Sequence, residues 1–152
     1  DLEALASNVP AAHREFLGNM PWCIEHPEHL FVHAGLDPVL PFHLQLQILR
    51  QRDLSLNRPP WLCEKSFVNV DPPDDCPFTV VSGHVRFPGV VMRPRRILID
   101  TTGGEGGELS CVLLPERLVI SSSPSERAPF RPGNLPPQTP ASTSSSWWNP
   151  FR

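Results

Sequence analysis

Leu30-Phe31-Val32-His33-Ala34-Gly35 and Thr79-Val80-Val81-Ser82-Gly83-His84 share one design: each runs an apolar strand into a histidine flanked by glycine. A buried strand fixes the position of its last residue tightly. Glycine beside that residue lets the backbone turn away and leaves room for an ion or a substrate. Neutral imidazole is a good ligand for Zn, Fe and related divalent metals, so His33 and His84 are the candidate metal ligands. One histidine ending a strand is more often a hydrogen-bonded structural residue than a ligand. The signal lies in the repeat of the same setting about fifty residues later. His13, His26, His29 and His43 read as surface or capping residues.

Upstream of the first strand, Asn8 to Gly18 reads as a short helix. Asn8 can cap it, Pro10 suits its first turn and Gly18 its end, and Val9, Ala12, Phe16 and Leu17 fall on one face. Pro41 opens a second helix, Phe42 to about Gln51, with Phe42, Leu46 and Leu49 as its core-facing stripe. Residues 54–77, rich in prolines and acidic turns, read as an irregular excursion with one short strand near Phe67–Val70. From Phe78 onward the period changes. Phe78–Val81, Val90–Met92, Ile97–Ile99, Leu109–Leu114 and Leu118–Ile120 are short aliphatic runs punctuated by Gly and Pro, as in consecutive antiparallel strands. Helices first and strands after imply an α/β chain of α+β-like order, a sheet partly covered by helices.

Composition divides the chain into residues 1–120, which can fold, and a tail, 121–152. Seven Pro and eight Ser among the tail's 32 residues leave too little apolar mass for a core, so disorder is expected there. The formal charge is −3. Arg127, Arg131 and Arg152 against Glu126 make the tail +2 and residues 1–120 −5. A body of that sign repels a phosphate backbone, which argues against a nucleic-acid partner. No apolar run approaches the roughly 18 residues of a spanning helix, and no signal peptide is visible, so no membrane partner is expected. The four cysteines, Cys23, Cys63, Cys76 and Cys111, form no CxxC pair. They fit a reducing compartment, cytoplasmic or nuclear. The chain starts at Asp1 without an initiator Met, which reads as loss of upstream sequence.

Phe31-Val32-His33-Ala34-Gly35-Leu36-Asp37-Pro38, then Gln45 and Ile48-Leu49-Arg50-Gln51-Arg52-Asp53, then Val80-Val81-Ser82-Gly83-His84 and Ile97-Leu98-Ile99-Asp100-Thr101 follow one another in an order. That order resembles the second half of phosphoprotein-phosphatase-type (calcineurin-like) metallophosphoesterases. Within that family the plant Rhizobiales-like phosphatases are most similar, with a Leu-Arg-x-x-Asp segment and a Gly-rich stretch after the acidic strand end. The resemblance spans about residues 8–120. It implies half of a metallophosphoesterase β-sandwich flanked by helices, and two divalent ions (Mn, Fe or Zn) in the intact enzyme, with His33 and His84 ligating one of them. It also implies Arg50 as the clamp on the substrate phosphate, with Arg52 as the fallback, because a planar guanidinium grips two phosphate oxygens at once. Judged by local sequence alone, Arg50 is a solvated arginine at a helix end.

The implied activity is phosphomonoester hydrolysis on a phosphoprotein or phosphopeptide, with phosphotyrosine preferred. Three further motifs of the family, GDxHG, GDxxDRG and GNHE, do not occur here. The resemblance therefore places no catalytic residue within this chain, and implies weak metal binding, no turnover and poor solubility for this polypeptide alone. Two alternatives stay open: a non-catalytic interaction protein, and a dinucleotide polyphosphate hydrolase. Thr101–Gly107 lacks the Gly-Lys-Ser/Thr ending of a phosphate-binding P-loop and reads as a strand connection at the rim of the site. Arg93, Arg95 and Arg96 read as a solvated hairpin. Pro129-Phe130-Arg131-Pro132 and Pro137-Gln138-Thr139-Pro140 offer the tail a docking partner with an aromatic groove.

Overall fold

The computed structural model describes residues 8–53, 55, 59–104 and 107–122. The chain folds as helix α1 (Ala11–Asn19), strands β1 (Cys23–Glu25) and β2 (His29–Val32), helix α2 (Phe42–Gln51), a single helical turn α3 (Pro60–Cys63) and a 3-10 turn (Lys65–Phe67). Strands β3 (Thr79–Ser82), β4 (Val91–Met92), β5 (Arg96–Leu98), β6 (Ser110–Leu113) and β7 (Leu118–Ser121) follow. Five strands form one sheet in the order β1-β2-β3-β5-β4, and β6 and β7 make a separate hairpin. Most of the predicted tail lies outside the described residues. Among those described, no helix is long and apolar enough to cross a membrane.

The centre of the sheet is parallel. β2 pairs with β3, Leu30 facing Val80, and β3 with β5, Val81 facing Ile97. Only the flanking pairs β1–β2 and β4–β5, and the hairpin, are antiparallel. This corrects the expected antiparallel series. Short aliphatic runs look alike in either orientation, and the crossover through α2 and α3 is what brings β3 alongside β2 in the same direction.

Pleating sends alternate residues to opposite faces. On one face Leu30, Val32 and Val80 meet Leu36, Trp61 and the α2 stripe Phe42, Leu46 and Leu49, all buried; each such side chain contributes about 1.5–3 kcal/mol. No side chain of α2 itself caps its N-terminus. Asp75 does so from outside, accepting from the Phe42 amide at 2.9 Å, where a carboxylate complements the helix dipole. The opposite face is thinner: Val81, Val90 and Ile97 are covered in part by Val112 and Leu114 of the hairpin region.

Three further expectations change. The excursion 59–77 contains helical turns and no strand at Phe67–Val70. α1 begins after Pro10, has no side-chain cap and buries none of its residues; Phe16 is 68% exposed. His29 is buried against Phe31 and His26.

Candidate metal centre

Three neighbouring parallel strands end on the same edge of the sheet, and each delivers one polar residue there. His33 follows β2 directly, His84 follows β3 after Gly83, and Asp100 follows β5 after Ile99. The carboxyl ends of parallel strands are where open α/β sheets bind ligands. His33 Nε2 lies 2.9 Å from His84 Nδ1. Their ring centroids are 4.8 Å apart, with the planes inclined at 66°. The Gly83 amide donates to the His33 carbonyl at 3.0 Å, which joins the two strand ends at the backbone.

The α3 turn supports both histidines. The Trp61 carbonyl accepts from the amides of Ala34 and Gly35, next to His33, and the Cys63 carbonyl lies 3.1 Å from His84 Nε2. A carbonyl only accepts, so His84 carries its proton on Nε2 and its Nδ1 lone pair faces His33. His84 adopts a left-handed backbone, φ 73°, at a cost of about 1–2 kcal/mol for a residue with a Cβ; such conformations cluster at functional sites. The His33 imidazole is held below its ordinary pKa. Partial desolvation is the main cause and the neighbouring His84 the second, with Asp100 pulling the other way. His33 therefore keeps a free lone pair to a lower pH than an isolated histidine would.

The pair opens into a cavity of about 770 Å³ on the thinly covered face of the sheet. Leu17, Trp22, Phe31 and Ile99 supply apolar wall, and Asp100, Thr101 and Thr102 supply its polar rim. Thr101 and Thr102 thus stand where the Gly-rich connection was expected. The Asp100 carboxylate is anchored by the Gly103 amide at 2.7 Å.

Arg50 does not line the cavity and makes two parallel 2.7 Å hydrogen bonds to Glu25 on the outer strand β1. Arg52 donates instead to the carbonyls of Gly18 and Met20, tying down the end of α1. The basic cluster also differs from the solvated hairpin: Arg93 donates to Asn69 and Arg95 to Pro73, while Arg96 is fully buried.

Gly35 leaves room as expected, but not for an ion. A Cβ there would lie 2.3 Å from the Phe67 carbonyl oxygen and 2.6 Å from Arg96 Nη2. The sequence reading assigned no role to Asp100, although its place after the apolar run Ile97–Ile99 repeats the strand-end design. The contribution of the Cys63 carbonyl has no sequence signal, because a backbone acceptor leaves no trace in side-chain identity.

A divalent ion is compatible with the histidine pair itself. Two metal–nitrogen bonds of about 2.1 Å meeting near a right angle span about 3 Å, close to the observed nitrogen separation. The second nitrogen of His84 on a backbone carbonyl is the usual support for a ligating imidazole. Among the described residues, no group of three or more His, Cys, Asp or Glu side chains could hold an ion. The chain presents a histidine pair.

No family model and no curated relative matches the sequence. A solved structure does: the crystal structure of "a putative diadenosine tetraphosphatase" aligns with a TM-score of 0.53 at 24% identity, over 79% of this chain and 58% of that one. The fold of this chain is similar to part of that protein's fold. At that identity the likeness is one of architecture, and the chain spans 58% of the solved protein's length. The strand-end edge carrying His33 and His84 is where ligands of such a sheet are expected.

Proposed function

We propose that this chain contributes a two-histidine ligand set to the metal centre of a phosphoesterase acting on phosphoproteins or phosphopeptides, phosphotyrosine first. The observation that carries the reading is the 2.9 Å approach of His33 Nε2 to His84 Nδ1 at adjacent parallel strand ends. In the metal-free chain a proton on His33 Nε2 bridges to the His84 lone pair. When His33 carries its proton on Nδ1 instead, both facing nitrogens offer lone pairs to one cation, with the Cys63 carbonyl holding His84 in the required tautomer and Asp100 sustaining the basicity of His33. Bound divalent ions supply Lewis-acid stabilisation of a phosphoryl group and an ionised water at neutral pH.

The oxygen ligands of a two-metal centre do not cluster with the pair among the described residues. The chain alone should therefore bind a cation weakly and hydrolyse nothing. With Glu25 on its Nε and Nη2, Arg50 can serve as a phosphate clamp through its remaining Nη1 and Nη2 hydrogens. A second reading, hydrolysis of dinucleotide polyphosphates, is favoured by the description of the solved neighbour.

Calorimetric titration with Zn2+ or Mn2+ tests the centre: weak binding is expected, lost in both His33→Ala and His84→Ala. Binding unchanged in the two variants would sink the reading. Assays with aryl phosphate, a phosphotyrosyl peptide and diadenosine tetraphosphate should show no turnover by this chain. Reading the coding sequence upstream of Asp1 for the three absent motifs separates the enzyme readings from a non-catalytic interaction protein.

A further inference from the structure

We infer that Arg96 is a positioning residue that holds the His33 and His84 rings in register. The inference rests on the reading of that pair as a metal-ligand set.

Arg96 sits on β5, fully buried, on the face of the sheet opposite the cavity. The two hydrogens of its Nη2 are shared among the Ala34 carbonyl at 2.7 Å, the Ser82 hydroxyl at 2.9 Å, and the carbonyls of Val68 at 3.0 Å and Phe67 at 3.2 Å. Ala34 is the residue after His33, and Ser82 is two before His84. One nitrogen thus ties together the two strand ends that carry the rings. The third strand end, which carries Asp100, lies on β5 itself.

Among the described residues no carboxylate forms an ion pair with this cation, although Asp71 lies near enough to favour its charged form, and its Nη1 has no hydrogen-bond partner. Its charge rests on carbonyl and hydroxyl oxygens, and burial holds the guanidinium at about 10. A buried cation without an ion-pair partner costs stability that a well-packed apolar residue would not. In return, the planar guanidinium fixes the angles between the acceptors it gathers. The turn after His33 is shaped around it, since Gly35 has no room for a Cβ against Arg96 Nη2 and the Phe67 carbonyl.

The test uses the full chain with Ser82→Ala, Arg96→Lys and Arg96→Met, each checked for cooperative thermal unfolding. Two readouts are taken: Zn2+ affinity by calorimetry, and NMR cross-peaks between the His33 and His84 rings in the metal-free protein. Affinity should fall by about 10–100-fold in Arg96→Met, as for other residues that orient a metal ligand, and by less in Arg96→Lys, which keeps one donor group. Ser82→Ala removes one arm while leaving the guanidinium in place, so it decides the matter if the Arg96 variants do not fold. It should weaken both the binding and the ring cross-peaks. Wild-type affinity and wild-type cross-peaks in a folded Ser82→Ala would overturn the inference. Should wild type itself show no His84-dependent binding, the metal reading fails separately, and the cross-peaks still decide whether Arg96 sets the ring geometry.

Discussion

The three central strands and the outer elements of this molecule are built to different standards. β2, β3 and β5 pair in parallel, carry an almost wholly buried face and are braced by α2, α3 and Arg96. α1 and the β6–β7 hairpin expose most of their apolar residues: Leu17 is 61% and Leu118 55% exposed. Both histidines grow from the braced region, whereas Leu17 and Ser110 of the cavity wall beside them come from the loose one. The geometry of the histidine pair is thus held by a packed core, while apolar surface around it faces solvent.

The sharpest way to break this contrast is to hollow out the braced region. Leu30→Ala, in the middle of β2 with no exposed surface, should cost about 2–5 kcal/mol in chemical denaturation. A loss under 1 kcal/mol would mean that the core is not close-packed.

Next comes the polar brace. Gln45 is fully buried; its Oε1 accepts from the Asp37 amide at 2.8 Å and from Trp61 Nε1 at 2.6 Å, and its Nε2 donates to the carbonyls of Asp37 and Leu40. Gln45→Leu keeps the volume and strands those partners, so a loss of about 1–3 kcal/mol is expected. It should come with weaker hydrogen-exchange protection at Ala34, whose amide depends on the Trp61 carbonyl.

Leu17→Ala in α1 is the counterpart in the loose region, and its effect should stay within about 0.5 kcal/mol. A larger loss would show that α1 is packed in solution.

Smallest is a pH effect at the outer strand. Its hydrogen bond to Arg50 holds the Glu25 carboxyl below the usual carboxylate range. A carboxyl depressed in the folded state adds stability above its unfolded pKa, and that stability is lost as pH falls through the lower folded value. Wild type should therefore melt slightly above Arg50→Gln at neutral pH, and the two curves should converge in acid. A gap that persists in acid would assign Arg50 another role.

Local pattern was enough for much of this architecture. The α2 stripe and its span, the positions of β2 to β7, and the two strand-ending histidines follow from apolar spacing and from where it stops, because these depend on neighbours within a turn or a pleat; β1 gave no such signal, and the strand expected near Phe67–Val70 did not form. Strand direction, the destination of each arginine and the carbonyl supports of the site came only with the tertiary structure. Arg50 and Arg96 both read as solvated cations from their immediate surroundings. One pairs with Glu25 on the surface, and the other disappears beneath the histidines to hold Ala34 and Ser82. The difference has a physical reason. Burying a guanidinium requires acceptors gathered from several distant segments, and nothing in a residue's own stretch of chain records which carbonyls the fold will bring to it.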